Sequence, residues 1–243
     1  MTSEAPLAAI SFQAALLDLD GTLLDTIPDL AAAANAMLIE LGAVALPEAD
    51  IATYVGKGTE NLVRRCLSDA RVALPIDEAS VARALAIFGR HYHAVNGRAA
   101  RLYPGVVEGL AALREQGLKL AVVTNKPTEF TLPLLAHMGL AHWFDAVVCG
   151  DTCERKKPDP QPLLHACALL DCPPQRALAV GDSVNDALAA RAAGITVLAV
   201  PYGYNEGRDI HELDIDGIVF GIDDAAAWAA NPRRPRKRAG GHP

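Results

Sequence analysis

At 243 residues, with 51% apolar and 5% aromatic side chains, the chain suits one large domain or two small ones, its helices packed through small residues. The net charge of −7 is uneven: residues 231–243 carry five basic side chains and no acid, which leaves the remainder at −12. Such an acidic body argues against nucleic acid as the main ligand, and the apolar runs are too short for a membrane span. The five cysteines are odd in number and unpatterned, and Met1 to Pro6 shows no basic or long apolar stretch. The expectation is a cytoplasmic protein with no secretory signal.

In chain order, the first element is an apolar strand over Ala14 to Leu19 that runs into Asp18-Leu19-Asp20-Gly21-Thr22. Two carboxylates two residues apart would leave a sheet edge on the same face, and Gly21 permits a sharp turn. About 80 residues then pass without a convincing strand. They show helical patterns over Pro28 to Leu41, Gly58 to Leu67 and Asp77 to about Val95. From Tyr103 onward the rhythm is strand and helix: strands over Leu118 to Thr124, Ala146 to Cys149, Ala177 to Gly181 and Thr196 to Val200. Helices between them cover Thr128 to Met138, Gln161 to Leu170 and Ser183 to Ala193.

That alternation predicts an α/β fold, a Rossmann-like doubly wound parallel sheet with an inserted helical cap. The expected division is a core of residues 1–24 and 99–230, a cap of 25–98, and a basic tail of 231–243, read as a disordered end. Weak contact with nucleic acid or another anionic surface is the alternative for the tail.

Four further polar sites fall at or beyond strand ends: Thr124-Asn125, Lys157-Pro158, Gly181-Asp182 and Asp186. Ligand crevices of open α/β sheets lie at those ends. Each site has a plain structural reading. Thr124 and Asn125 suit a helix cap, Lys157 a solvated turn, and Asp182 and Asp186 the start of the following helix. Their joint occurrence suits phosphoryl transfer. Asp18 is placed as a carboxylate nucleophile, and Asp20 as the acid that protonates the leaving alkoxide and then activates water. Mg²⁺ would sit on Asp18, Asp182 and the backbone carbonyl of Asp20, with Asp186 holding a metal-bound water or orienting Lys157. Lys157, Thr124 and the Asn125 backbone would face the phosphate oxygens.

Asp18-x-Asp20-Gly21-Thr22, Thr124, Lys157-Pro158 and Gly181-Asp182-x₃-Asp186 together resemble the four motifs of the haloacid dehalogenase superfamily, over residues 14 to about 222. The resemblance implies a Rossmann-like core, a cap inserted after the first motif, Mg²⁺ and an aspartyl-phosphate. Asp20 points to the phosphatases in that superfamily. The stretches Leu23 to Leu30, Tyr54 to Gly58 and Val200 to Asn205 are similar to bacterial phosphoglycolate phosphatases, which implies release of glycolate from 2-phosphoglycolate.

The cap is expected to set substrate choice. Gly56-Lys57-Gly58-Thr59 reads as a substrate loop rather than a nucleotide P-loop, because Ile51 stands where a P-loop needs glycine. Lys57 is the first candidate to meet the carboxylate of a small phosphorylated acid, with Arg64 or Arg65 as second choices. Solvated side chains are the plain alternative for all three. No nucleic acid or membrane partner is expected, and the oligomeric expectation is a monomer or weak homodimer. Two rivals remain: a phosphatase of a small sugar phosphate such as N-acetylmuramic acid 6-phosphate, and a phospho-accepting receiver-type switch.

Overall fold

The computed structural model describes residues 11–74, 76–205 and 207–232. All but the first two residues of the expected basic tail lie outside them. A six-stranded parallel sheet forms the frame, from β1 (Ala14–Leu17), β4 (Lys119–Val123), β5 (Ala146–Val148), β6 (Ala177–Gly181), β7 (Thr196–Ala199) and β8 (Gly217–Ile218). Their order is β5-β4-β1-β6-β7-β8. From β1 the chain works outward to β5, then crosses back to β6 and on to the other edge. The winding therefore reverses beside β1, where open α/β sheets hold ligands.

The two-residue period of a strand sorts the core into layers. Ala15, Leu17, Leu120, Val122, Leu178 and Val180 face α5 (Val106–Glu115) and α9 (Ile222–Ala230). Ala14, Leu16, Ala121, Val123, Ala177 and Ala179 face α7 (Gln161–Leu169) and α8 (Val184–Ala193). Alanines on both sides of the second interface let α8 approach the sheet closely. Each of β1, β4, β5 and β7 stops short of the residues expected from the sequence, so Asp18 and Thr124 stand just past the ladder.

Residues between β1 and β4 hold α1 (Ile27–Glu40), α2 (Glu48–Ala52), α3 (Thr59–Leu67) and α4 (Glu78–Val95). These helices share a core of their own that includes Met37, Leu38, Ile51, Val63 and Phe88. The expectation of a strand-free gap needs correcting. β2 (Leu24–Asp25) and β3 (Arg101–Leu102) pair antiparallel where the chain enters and leaves the helices. Two residues per strand carry no readable alternation. Buried Asp29 fastens the same junction by accepting bonds from the backbone N–H groups of Gly97, Ala99 and Ala100 at 2.9, 2.8 and 3.0 Å.

Candidate active site

Three carboxylates and a lysine meet beyond β1, β4 and β6. Lys157 Nζ lies 2.9 Å from Asp18 Oδ1 and 2.6 Å from Asp186 Oδ1, and donates to the carbonyl of Val123 at 2.6 Å. Burial works against the lysine's charge, but Asp18 and Asp186 outweigh it and raise its pKa. Asp186 also keeps its plain role: its Oδ2 accepts from Ser183 N and Oγ in a capping box at the start of α8. One side chain thus caps a helix and fixes a lysine.

Asp182 is built into a tight cradle. Thr22 Oγ1 donates to its Oδ1 at 3.0 Å, and the N–H of Tyr204 to its Oδ2 at 2.5 Å. A Cβ at Gly21, which sits at φ +84°, would approach Asp182 Oδ2 to 2.5 Å, and one at Gly203 would collide with the same side chain. Only glycine leaves room for the carboxylate at either place.

Asp18 and Asp20 both line the pocket at the strand ends, although the chain curls directly after β1. Thr22, Leu23 and Leu24 all direct their N–H groups to the carbonyl of Leu19, which breaks the pleat after β1. The Asp20 carboxylate therefore turns from the acidic cluster to Thr26 Oγ1 at 2.8 Å and to Lys126 Nζ, 3.1 Å from both its oxygens.

A pocket lies between the strand ends and the helical insert. The core side contributes Asp18, Asp20, Thr124, Asn125 and Lys126. The insert contributes Leu30, Val55, Gly56, Gly58, Thr59 and Leu62. Thr124 Oγ1 accepts from Lys126 N at 3.2 Å. The Asn125 side chain acts as a staple: it bonds the backbone of Lys157 in both directions, at 2.9 and 3.0 Å, and reaches Gly56 O at 3.0 Å. Lys57 is exposed between two lining glycines. Arg64 is drawn away, paired with Glu60 and Glu78 at 2.8 Å each.

Asp18, Asp182 and Asp186 each offer an oxygen within 4.8 Å of the others. One lysine against three carboxylates leaves two negative charges uncompensated among these groups. Burial, opposed by Lys157 and reinforced by Asp186, pushes the Asp18 carboxyl up to about 7. Burial followed by repulsion from Asp186 and Asp18 raises Asp182 well above the carboxylate range. Asp18 Oδ1 is buried, and the Lys157 ammonium at 2.9 Å meets it as an ion pair outside hydrogen-bond geometry. An all-oxygen donor set with surplus negative charge fits a hard divalent cation.

The sequence matches the haloacid dehalogenase-like hydrolase family over residues 15–200. The chain belongs to this family. The matched span of this hydrolase contains Asp18, Asp20, Thr124, Lys157, Asp182 and Asp186. The chain is 53% identical over 216 residues to the phosphoglycolate phosphatase of Nitrosospira multiformis, covering 89% of this chain and 95% of that one. It is 46% identical over 217 residues to that of Thiobacillus denitrificans, with the same coverage. A crystal structure of a predicted phosphoglycolate phosphatase from Haemophilus somnus superposes with a TM-score of 0.85 at 35% identity, covering 89% of this chain and 97% of that one.

Two residues of this hydrolase escape sequence reasoning. Lys126 is buried against Asp20, and its Nζ also donates to Tyr92 Oη on α4 at 2.6 Å. Burial opposes that charge, but Asp20 and Tyr92 raise its pKa. A lysine placed directly after a strand-end Thr-Asn and before proline was the available signal. Tyr204 Oη donates to Asp25 Oδ1 at 2.7 Å and accepts from Thr26 N at 2.8 Å. It ties the loop around Asp182 to the entry of the insert, and no local pattern announces a contact across 178 residues.

Proposed function

We propose that this protein is a Mg²⁺-dependent phosphomonoesterase that hydrolyses 2-phosphoglycolate to glycolate and phosphate through an aspartyl-phosphate on Asp18. The observation that carries the chemistry is the buried cluster of Asp18, Lys157, Asp182 and Asp186 with Asp20 held beside it. The substrate rests on relatives named phosphoglycolate phosphatase that are 46 and 53% identical. The expected division also carries over: residues 25–98 act as a cap over a core of 1–24 and 99–230. Five free cysteines suit a reducing, cytoplasmic compartment, and the protein is proposed to act there as a monomer or weak homodimer.

An Asp18 oxygen attacks phosphorus, and the bond to the glycolate oxygen breaks. Asp20 gives that oxygen a proton. In the second half Asp20 takes a proton from water, the water oxygen bonds to phosphorus, and the Asp18 oxygen leaves with its electron pair. Lys157 holds a fixed positive charge beside Asp18, which offsets repulsion between nucleophile and phosphate. Thr124 and the Asn125 backbone orient the phosphate oxygens. Asp18, Asp182 and Asp186 would hold Mg²⁺, with the Asp20 backbone as a further donor; when bound, the ion supplies charge neutralisation at the phosphate. Apolar Leu30, Val55 and Leu62 exclude bulk water from the strand ends.

Phosphate release from 2-phosphoglycolate, sugar phosphates including N-acetylmuramic acid 6-phosphate, and nucleotides tests this, with Mg²⁺ and with EDTA. The expected result is Mg²⁺-dependent kcat/KM highest for 2-phosphoglycolate. A higher value for a sugar phosphate would keep the chemistry and overturn the substrate. Stable phosphorylation with no turnover would overturn both in favour of a receiver-type switch.

A further inference from the structure

The phosphate of a phosphorylated carboxylic acid is accounted for by the cluster around Asp18. Its carboxylate is not. A carboxylate buried among Leu30, Val55 and Leu62 would be costly without a cation. Among the described residues lining the pocket, Lys126 is the only cationic side chain. The other candidates lie elsewhere. Arg64 is engaged by two glutamates, Lys57 is exposed, and Lys157 is committed to Asp18 and Asp186.

We propose that Lys126 reads the carboxylate of the substrate, and so selects phosphate esters whose alcohol carries a carboxylate one carbon from the ester oxygen. The inference rests on the phosphomonoesterase reading and deepens it. The argument is one of connectivity. Asp20, as the acid, must stand at the ester oxygen. In 2-phosphoglycolate a single methylene separates that oxygen from the carboxylate. An ammonium 3.1 Å from both Asp20 oxygens therefore stands where the carboxylate must lie.

Lys126 also has donor capacity to spare. An ammonium has three N–H groups. Tyr92 Oη takes one at 2.6 Å, and the two Asp20 oxygens lie at equal distance and can share another. A third remains for the ligand. The Tyr92 ring, its centroid 4.8 Å from Nζ, is itself packed against Phe88 and Phe130, so the ammonium has a fixed partner. A preorganised cation loses little freedom on binding. Because Tyr92 belongs to α4, the carboxylate would be read only while the insert lies against the strand ends.

The test compares 2-phosphoglycolate with 2-hydroxyethyl phosphate, in which a hydroxymethyl group replaces the carboxylate. Lys126→Met and Lys126→Gln are made together, the second keeping a buried donor for Asp20, and folding is checked by circular dichroism. The readout is the ratio of the two kcat/KM values. Loss of one charge-assisted bond should shrink that ratio about 10- to 100-fold. Calorimetry supplies an arm free of turnover: wild type should bind 3-phosphonopropionate more tightly than propylphosphonate, and the variants should lose that margin. A crystal structure of wild type with 3-phosphonopropionate covers the case in which neither variant folds, and its carboxylate should contact Lys126 Nζ. If Lys126 merely positions Asp20, both esters lose equally and the unchanged ratio overturns the inference. So would a bound carboxylate pointing away from Lys126. A wild type with no preference for 2-phosphoglycolate would overturn the functional reading itself.

Discussion

The strand ends of the sheet and the helical insert facing them treat charge in opposite ways. At the strand ends, Lys157 and Lys126 are buried against carboxylates, two of which, Asp20 and Asp186, are further held by a hydroxyl or a backbone N–H group. The insert keeps its ion pairs at the surface, as in Arg90 with Glu40, Arg71 with Asp50, and Arg64 with Glu78. Toward the pocket it offers leucine, valine, glycine and threonine. Groups that must hold position are thus on rigid sheet edges, where a rotamer locked by packing cannot drift. The insert excludes water and shapes the cavity. Tyr92 is the exception, a phenol from the insert that reaches a buried lysine of the sheet edge.

The contrast is broken most severely at Asp18. Asp18→Asn keeps the side-chain volume and removes the attacking oxygen anion. Turnover should fall by about 10⁴-fold or more. Arg90→Ala, which removes an exposed pair on the insert, should change kcat/KM by no more than about twofold. Steady-state assays on both variants decide it. Near wild-type turnover in Asp18→Asn would place the nucleophile elsewhere.

The next effect concerns stability without metal. The folded protein raises the Asp18 carboxyl from 3.8 to about 7 and raises Asp182 in the same direction. Between those pH values the native state keeps a proton that the unfolded chain has released. Stability from these groups therefore falls as pH rises through that window and stays low above it. The metal-free protein should melt at a higher temperature near pH 5 than near pH 8, relative to an Asp182→Asn variant. Mg²⁺ should close the gap near pH 8. Each kcal/mol of relieved repulsion is worth about 2–4 °C in a chain of this size. Identical pH slopes for wild type and variant would show that the cluster is not charge-strained.

This division also explains what could be read from the sequence. Apolar runs such as Leu118 to Thr124 locate buried parallel strands because both faces are covered. The acids that follow them stand out by contrast with those runs. The Gly217–Ile218 strand and the Glu48–Ala52 helix are too short to show a period, and the Ile222–Ala230 helix has alanine at five of its nine positions, which blurs its apolar face. The separate partners of Asp18 and Asp20, Lys157 for the first and Thr26 with Lys126 for the second, are not legible either, because they depend on a curl in which three N–H groups converge on Leu19 O. Beyond its place after Thr124-Asn125, Lys126 carries no local signal of its role because its partners, Asp20 and Tyr92, come from distant segments and only folding brings them together.

The smallest effect is expected where the two regions are joined. Tyr204→Phe removes a hydroxyl that serves Asp25, Thr26 N and Ile27 N, at 2.7, 2.8 and 3.4 Å. The backbone N–H of residue 204 still reaches Asp182, so the metal-side geometry should persist. Burial and the neighbouring Tyr103 raise the Tyr204 pKa, so it acts as a neutral donor and acceptor throughout the working pH range. Losing it leaves the first N–H groups of α1 without that acceptor, at a cost of about 1–3 kcal/mol. The consequence is local: the entry of the insert opens more often while the sheet stays intact. Hydrogen exchange at Thr26 and Ile27 should quicken, and kcat should fall by less than about tenfold. Unchanged exchange at those two amides would mean that the hydroxyl does not hold the junction, and that β2, β3 and the Asp29 clamp suffice to fix the insert.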